Sequence, residues 1–180
     1  MKVVEGRADI DDLDSFLADL GEVGEEFDCA IQAFDANLVV GRDHLRVAVE
    51  RASRALDRGE NVARDPAVEI LLYAAGRRQI NRALRMGVGE GESAVAVAVH
   101  HFGDDNDGDN GDNGDDNEAA AADAVRDLLA PTETDAASAD RIDRGAVRDF
   151  FEVTDAELAA TDASLADLVR ERVALLDVEK

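Results

Sequence analysis

The alternation of hydrophobic and polar residues predicts several strands separated by helical segments. Period-two spacing marks strands at 2–8, 27–34 and 93–101, and a further short strand at 38–40. The clearest of these is SAVAVAVHH (93–101), which is β-branched at alternate positions. Because a pair of helices separates it from the earlier strands, we expect this strand in the interior of a mixed sheet.

Apolar residues spaced three and four apart predict helices between and after these strands. A helix over 10–20 is expected to break at Gly21 and Gly24, and one reaching Arg58 has Asp43 as its expected N-cap. After the last strand the predicted helices are 118–130, 141–151 and 163–177. Thr154 and Glu157 have the spacing of a capping box.

The central stretch, residues 61–88, predicts two short helices joined at Gly76. Asp65 suits the N-cap, and Pro66 suits the first helical position, where no N–H group is needed. The run after Pro66 is apolar on nearly all sides, which indicates a buried helix. Gly76 can adopt the positive φ that ends a helix.

The second helix of the pair is expected to begin near Arg78 and to end at Gly87. Its predicted inner stripe is Ile80, Ala83 and Leu84, and its other face carries Arg78, Arg82 and Arg85. Periodicity alone favours two core helices edged by solvated arginines.

The composition adds a strong acidic bias. The chain has 180 residues, 46% of them hydrophobic, which is enough for one domain with its own core or for two small ones. The formal net charge is −23. Such a surface suits a salt-rich cytosol, because in molar salt charges are screened beyond about 3 Å.

Other features point to the cytoplasm. The single cysteine, Cys29, rules out an internal disulfide and is expected to be a buried thiol. There is no apolar run of 18 or more residues and no signal-peptide pattern. We therefore expect a soluble, cytoplasmic protein without a membrane partner.

The charge is unevenly distributed. Residues 42–88 contain ten arginines and six acidic residues, a net charge of +4, so the rest of the chain carries −27. A basic window in so acidic a protein is a candidate site for a polyanion.

Residues 103–117 contain only Gly, Asp and Asn. A calcium loop would need Gly at its sixth position and Glu at its twelfth, and neither possible register, from Asp105 or from Asp109, meets both requirements. The composition favours a disordered acidic insert. A linker is predicted at 132–139.

No motif for catalysis is present. There is no P-loop, HExxH, GxSxG or paired Cys/His spacing, and no cofactor is expected. His100 and His101 are adjacent on a strand, so they face opposite sides and cannot share a metal ion.

The run VEILLYAAGRRQINRALRMGV (68–88) resembles the KEOPS accessory subunit that binds the complex's small kinase-like ATPase, the family of PRPK-binding proteins. In that family a similar GRRQI-type run joins two helices. The resemblance covers about 27–101 and 150–180, including LVRERVALLDVEK at the end. The insert after His101 departs from the family pattern, and 118–149 match only loosely.

The resemblance implies an α/β fold with a mixed sheet flanked by helices in a single domain. It also implies a non-catalytic subunit in the synthesis of threonylcarbamoyladenosine on tRNA. Such a subunit docks directly on the ATPase subunit, reaches other KEOPS subunits indirectly and captures tRNA by its 3′ CCA end.

Two residue sets follow. Gly76 lets the chain turn so that a helix begins with arginines and free N–H groups, which suits a phosphate, while Gln79 and Ile80 can contact bases. The expected tRNA-binding residues are Arg64, Arg77, Arg78, Gln79, Ile80 and Arg82. By resemblance, the expected ATPase-binding residues are Leu168, Arg172, Leu175 and Leu176.

These sets are expected to be separable, so that Arg78→Glu lowers tRNA affinity and spares ATPase binding. Two other functions stay open. One is a protein-interaction module that regulates a kinase without touching RNA, and the other is a small enzyme that uses carboxylates.

Overall fold

A three-stranded sheet lies at the centre of the computed structural model, which describes residues 1–103, 113–130 and 142–176. The strands are β1 (Lys2–Ile10), β2 (Ala30–Asp35) and β3 (Gly91–His100), in the order β1-β3-β2. Both strand pairs are antiparallel. The predicted central position of the 93–101 strand is therefore confirmed, but within the described residues the sheet is antiparallel and not mixed.

Eight α-helices surround this sheet in the described part of the chain, which confirms a single-domain α/β architecture. Four precede β3: α1 (Leu13–Phe27), α2 (Arg42–Asp57), α3 (Pro66–Ala74) and α4 (Ile80–Ala83). Four follow it: α5 (Asn113–Leu128), α6 (Arg144–Phe151), α7 (Asp155–Ala160) and α8 (Leu165–Leu175). None of these helices has the length and apolar content that a membrane crossing requires.

Strand β3 is buried on both faces, and its alternate residues belong to two different hydrophobic cores. Val95, Val97 and Val99 pack with α1 and α5, and Ala96 and Ala98 face α2, α3, α6 and α8. Burial of one valine side chain stabilises a fold by about 1.5–3 kcal/mol. The alternation of valine and alanine along β3 therefore assigns each face of the strand to one of the two cores.

Helix α1 is longer than the sequence predicts, because it continues through Gly21 and Gly24 to Phe27. It ends at Asp28, whose φ of 52° is left-handed, and the Cys29 N–H donates to the Gly24 oxygen at 2.9 Å. A Cβ at Gly24 would lie 2.8 Å from the Cys29 oxygen. Gly24 therefore serves the close return of the chain and does not break the helix.

Two other local predictions are wrong. Residues 36–38 form a 3₁₀ turn (Ala36–Leu38), in place of a short strand at 38–40. The N-cap of α2 is Gly41, and Asp43 lies inside the first turn, where it pairs with Arg46 and Arg170.

The acidic insert is shorter than the sequence predicts. Residues 113–117 form the start of α5, and Asp115 pairs with Lys2 at 2.7 Å, so this part is not a disordered loop. The rest of the insert with its candidate calcium registers, at 104–112, and the linker predicted at 132–139 lie outside the described residues. The capping box at Thr154 and Glu157 is confirmed.

Candidate functional site

Helix α3 forms the buried base of the candidate site, as its apolar run predicts. The Asp65 side chain accepts from the Ala67 N–H at 2.8 Å, which confirms the N-cap, and Pro66 occupies the first turn. Ile70, Leu71 and Leu72 are fully buried. This helix therefore fixes the backbone on either side of it, at 61–65 and at 76–80.

Glu69 is a buried carboxylate that sequence reasoning missed. One of its oxygens accepts from the backbone N–H groups of Val62 at 3.0 Å and Ala63 at 2.8 Å. These bonds fix the loop before α3 and present Arg64, the next residue, at the surface. The sequence feature that could have revealed it is a single acidic residue in an otherwise apolar helix.

Gly76 makes the turn after α3, with a φ of 59°. The Gly76 N–H donates to the Tyr73 oxygen, and the Arg77 N–H donates to the Leu72 oxygen. The backbone N–H of Arg77 is therefore not free to bind a phosphate, in contrast to the prediction. Helix α4 begins at Ile80, two residues later than predicted, and a 3₁₀ turn (Leu84–Met86) follows it. A single helical turn is too short for the helix-terminus phosphate site that the sequence suggested.

The inner face of this segment also differs from the prediction. Ala83 and Met86 are buried, whereas Ile80 is 42% exposed and Leu84 is 54% exposed. Gln79 is exposed as well. The segment 79–84 therefore presents amide and aliphatic side chains to solvent.

Arg77 and Arg82 meet on one carboxylate. The Glu152 Oε1 atom lies 3.1 Å from the Arg77 Nη2 atom and 2.7 Å from the Arg82 Nη2 atom. Arg77 also donates to the Phe150 oxygen at 2.9 Å. The charge of Arg77 and the hydrogen bond from Arg82 hold the pKa of Glu152 below its usual range. The structure thus brings these two arginines together on a carboxylate that lies 70 or more residues later in the sequence.

Arg78 has a different partner. Its Nη2 atom donates to the backbone oxygen of Leu176 at 2.7 Å, and its Nε atom is buried without a hydrogen-bond partner. Of the expected tRNA-binding residues, Arg64, Gln79, Ile80 and Arg82 are exposed, and Arg77 and Arg78 are half-buried.

Helix α8 and its C-cap, Leu176, carry the expected ATPase-binding residues, and the apolar stripe of the helix packs on the core as predicted. Leu168 and Leu176 are buried. Arg172 is half-buried and donates to Glu157 at 2.8 Å. Leu175 is 45% exposed. Of the four residues, Leu175 is therefore the one that presents an apolar side chain to a partner.

A groove of about 760 Å³ lies beside the exposed segment. Leu84 lines it together with residues of α1, β2 and the start of α3. Its walls are predominantly apolar side chains, including Leu13, Leu17, Leu20, Ile31, Val68 and Leu71.

His44 and Cys29 are buried in the protein core. His44 is buried; its Nε2 atom donates to the Ala74 oxygen at 2.8 Å, and its Nδ1 atom accepts from the Val40 N–H. Burial raises the pKa of the Cys29 thiol to about 11. In the part of the chain that the structure describes, no group of three or more His, Cys, Asp or Glu residues is placed to hold a metal ion.

Comparison with known families agrees with the resemblance in the GRRQI run. A family model described as kinase binding protein CGI-121 matches residues 9–177. This match spans more of the chain than the two stretches that carried the resemblance. Among curated proteins, no sequence matches the chain.

Proposed function

We propose, from the premise that this chain belongs to the kinase-binding CGI-121 family, that it is a non-catalytic KEOPS subunit that recruits tRNA to a kinase-like ATPase. The modification that it serves is threonylcarbamoyladenosine, and the RNA feature that it binds is the 3′ CCA end. A cytoplasmic location and adaptation to high salt remain predictions from the composition.

The observation that carries the RNA proposal is the exposed segment at 79–84. Single-stranded RNA ends are bound by stacking and by hydrogen bonds to base edges. Gln79 offers an amide for a base edge, and Ile80 and Leu84 offer apolar surface that is exposed to solvent. The groove next to Leu84 gives an unstacked base an apolar recess.

Two exposed arginines are candidates for contact with the RNA backbone. Arg82 is exposed on α4, and Arg64 is exposed in the loop that Glu69 fixes. Both belong to the basic window of an otherwise acidic chain. We propose that these two arginines contact the RNA backbone, with Arg77 behind them, and that Arg78 orders the turn through Leu176.

For the ATPase, we propose a surface centred on Leu175 at the end of α8. Apolar anchors at the centre of an interface usually contribute about 2 kcal/mol or more each. Leu168 and Leu176 support this surface from the core, and Arg172 ties α8 to Glu157.

The test of the RNA proposal compares binding of labelled tRNA with and without its CCA end. We expect the trimmed tRNA to bind at least about 10-fold more weakly, the equivalent of roughly 1.4 kcal/mol. Gln79→Ala should weaken binding of intact tRNA by a similar factor and leave binding of trimmed tRNA unchanged. Asn37→Ala, at an exposed amide in the 3₁₀ turn after β2 and outside the 79–84 segment, is the matched control. Equal binding of the two tRNAs would refute CCA recognition.

A protein-interaction module without RNA contact is the alternative, and one observation favours it. Arg77 and Arg82 are already paired with Glu152, as the arginines of a purely structural surface would be. If this alternative holds, neither tRNA binds above the level seen with a basic-window variant such as Arg64→Glu/Arg82→Glu, while the ATPase subunit still binds.

A further inference from the structure

One carboxylate oxygen bridges two guanidinium groups at the edge of the exposed segment. Glu152 Oε1 lies 2.7 Å from Arg82 and 3.1 Å from Arg77. A phosphate oxygen on an RNA backbone makes the same kind of contact with paired arginines. The Glu152 side chain is 59% exposed, so the position it fills is open to an incoming ligand.

We propose that Glu152 is an internal substitute for phosphate, which holds the Arg77–Arg82 pair in the free protein and exchanges with one RNA backbone phosphate on binding. This inference rests on the proposed RNA function and concerns the same surface.

The contacts around Glu152 allow its carboxylate to leave without disturbing the site. Arg77 stays anchored by its 2.9 Å bond to the Phe150 oxygen. The backbone of Glu152 is held independently, because its N–H donates to the Arg148 oxygen and its own oxygen accepts from Arg172 at 3.3 Å. An exposed ion pair contributes only about 0–1 kcal/mol, so its exchange for a phosphate costs little.

The exchange also changes how binding depends on salt. When a free arginine neutralises a phosphate of single-stranded RNA, cations are released, and the logarithm of the affinity falls with a slope of about −0.7 per phosphate. If the arginines leave a carboxylate to bind that phosphate, the freed carboxylate attracts a cation in turn. The net release of cations is then small, so the arginine–phosphate contact weakens little in high salt.

The experiment measures tRNA binding by Glu152→Gln from about 0.1 to 1 M KCl. We expect an affinity gain of up to about 5-fold at the lowest salt, which corresponds to the roughly 1 kcal/mol that breaking the ion pair costs the wild type. We also expect the salt slope to steepen by about 0.7, which is one phosphate. Glu22→Gln, which removes the same charge from an exposed position on α1, should change both quantities little.

A second variant, Glu152→Asn, controls for the possibility that a substitution at this position disturbs folding. Glu152 adopts a left-handed φ of 56°, which asparagine tolerates better than most residues, so Glu152→Asn removes the carboxylate at a position that suits the new residue. Its thermal transition should stay near that of the wild type, and its gain in affinity should disappear when Arg82→Ala is added.

Unchanged or weakened binding by both Glu152 variants, with the fold intact and the wild type still binding in a CCA-dependent way, overturns this inference alone. Failure of the wild type and of both variants to bind tRNA at any salt overturns the proposed function and this inference with it.

Discussion

The side chain of Arg78 is hydrogen-bonded to the backbone oxygen of Leu176, 98 residues later, at 2.7 Å. Leu176 is the C-cap of α8, where backbone oxygens lack helical partners and a positive charge is favourable. The bond therefore ties the turn after α3 to the end of the helix that carries Leu175. Gly76 lies against the same helix, since a Cβ at that position would be 3.6 Å from the Arg172 Cβ.

We expect Arg78→Ala to destabilise the protein by about 1–2 kcal/mol, because a charge-assisted hydrogen bond is lost and a helix end loses its partner. Urea unfolding measures this. The same variant should weaken binding of the ATPase subunit as well as tRNA, which differs from the separable effects that the sequence suggests. Arg54→Ala, an exposed arginine of α2, is the control and should unfold like the wild type. Full retention of ATPase binding by Arg78→Ala would show that the two surfaces are independent.

Leu175 gives a second prediction. It is 45% exposed on α8, so Leu175→Glu should leave folding intact and weaken capture of the ATPase subunit by about 30-fold, the equivalent of 2 kcal/mol. Titration calorimetry with the purified subunit measures the loss. Leu128→Glu, at an exposed leucine on α5, places the same charge elsewhere and should bind normally. Similar binding by the two variants would remove Leu175 from the interface.

The sequence predicted those elements that bury a regular face. The alternation in β3 and the stripe of α8 correspond to real burial, because one face of each element packs on the core. Local chemistry also predicted the Asp65 cap and the turn at Gly76. These features depend on residues within four positions of one another, which a pattern along the sequence can reveal.

Features that depend on distant residues escaped prediction. Gly24 looked like a helix breaker, because its close contact with Cys29 is visible only in three dimensions. Ile80 is predicted to share an inner stripe with Ala83, yet Ala83 is buried and Ile80 is 42% exposed, which spacing within the segment does not reveal. The pairing of Arg77 with Glu152 joins two segments that no spacing rule relates.

Glu69 gives a third prediction. Glu69→Ala removes the acceptor of two backbone N–H groups in the loop before α3 and should destabilise the protein by about 1–3 kcal/mol. The loss should also weaken tRNA binding, because the loop presents Arg64. Glu69→Gln keeps one amide oxygen as an acceptor and should cost less. If Glu69→Ala unfolds at the same urea concentration as the wild type, the carboxylate does not order this loop.

His44 predicts how stability depends on pH. Burial lowers the pKa of His44 from 6.5 to about 4, while the hydrogen bond to Ala74 opposes this shift. Above pH 6.5 the side chain is neutral in both the folded and the unfolded chain, so its contribution is complete. Between pH 6.5 and 4 the unfolded chain binds a proton that the folded chain does not, and stability falls by up to about 3 kcal/mol.

The measurement is urea unfolding at pH 7 and at pH 5. In this window the exposed carboxylates Glu157 and Asp167, whose hydrogen bonds lower their pKa values to about 2, stay ionised in the folded chain and begin to matter only below pH 5. We expect the wild type to lose about 1–2 kcal/mol between the two pH values, because one pKa unit corresponds to 1.36 kcal/mol. His44→Gln can still donate to Ala74 but cannot be protonated, so its stability should change much less. His100, whose pKa burial also lowers, is present in both proteins and cancels in the comparison. An equal pH dependence in the two proteins would assign the loss to groups other than His44.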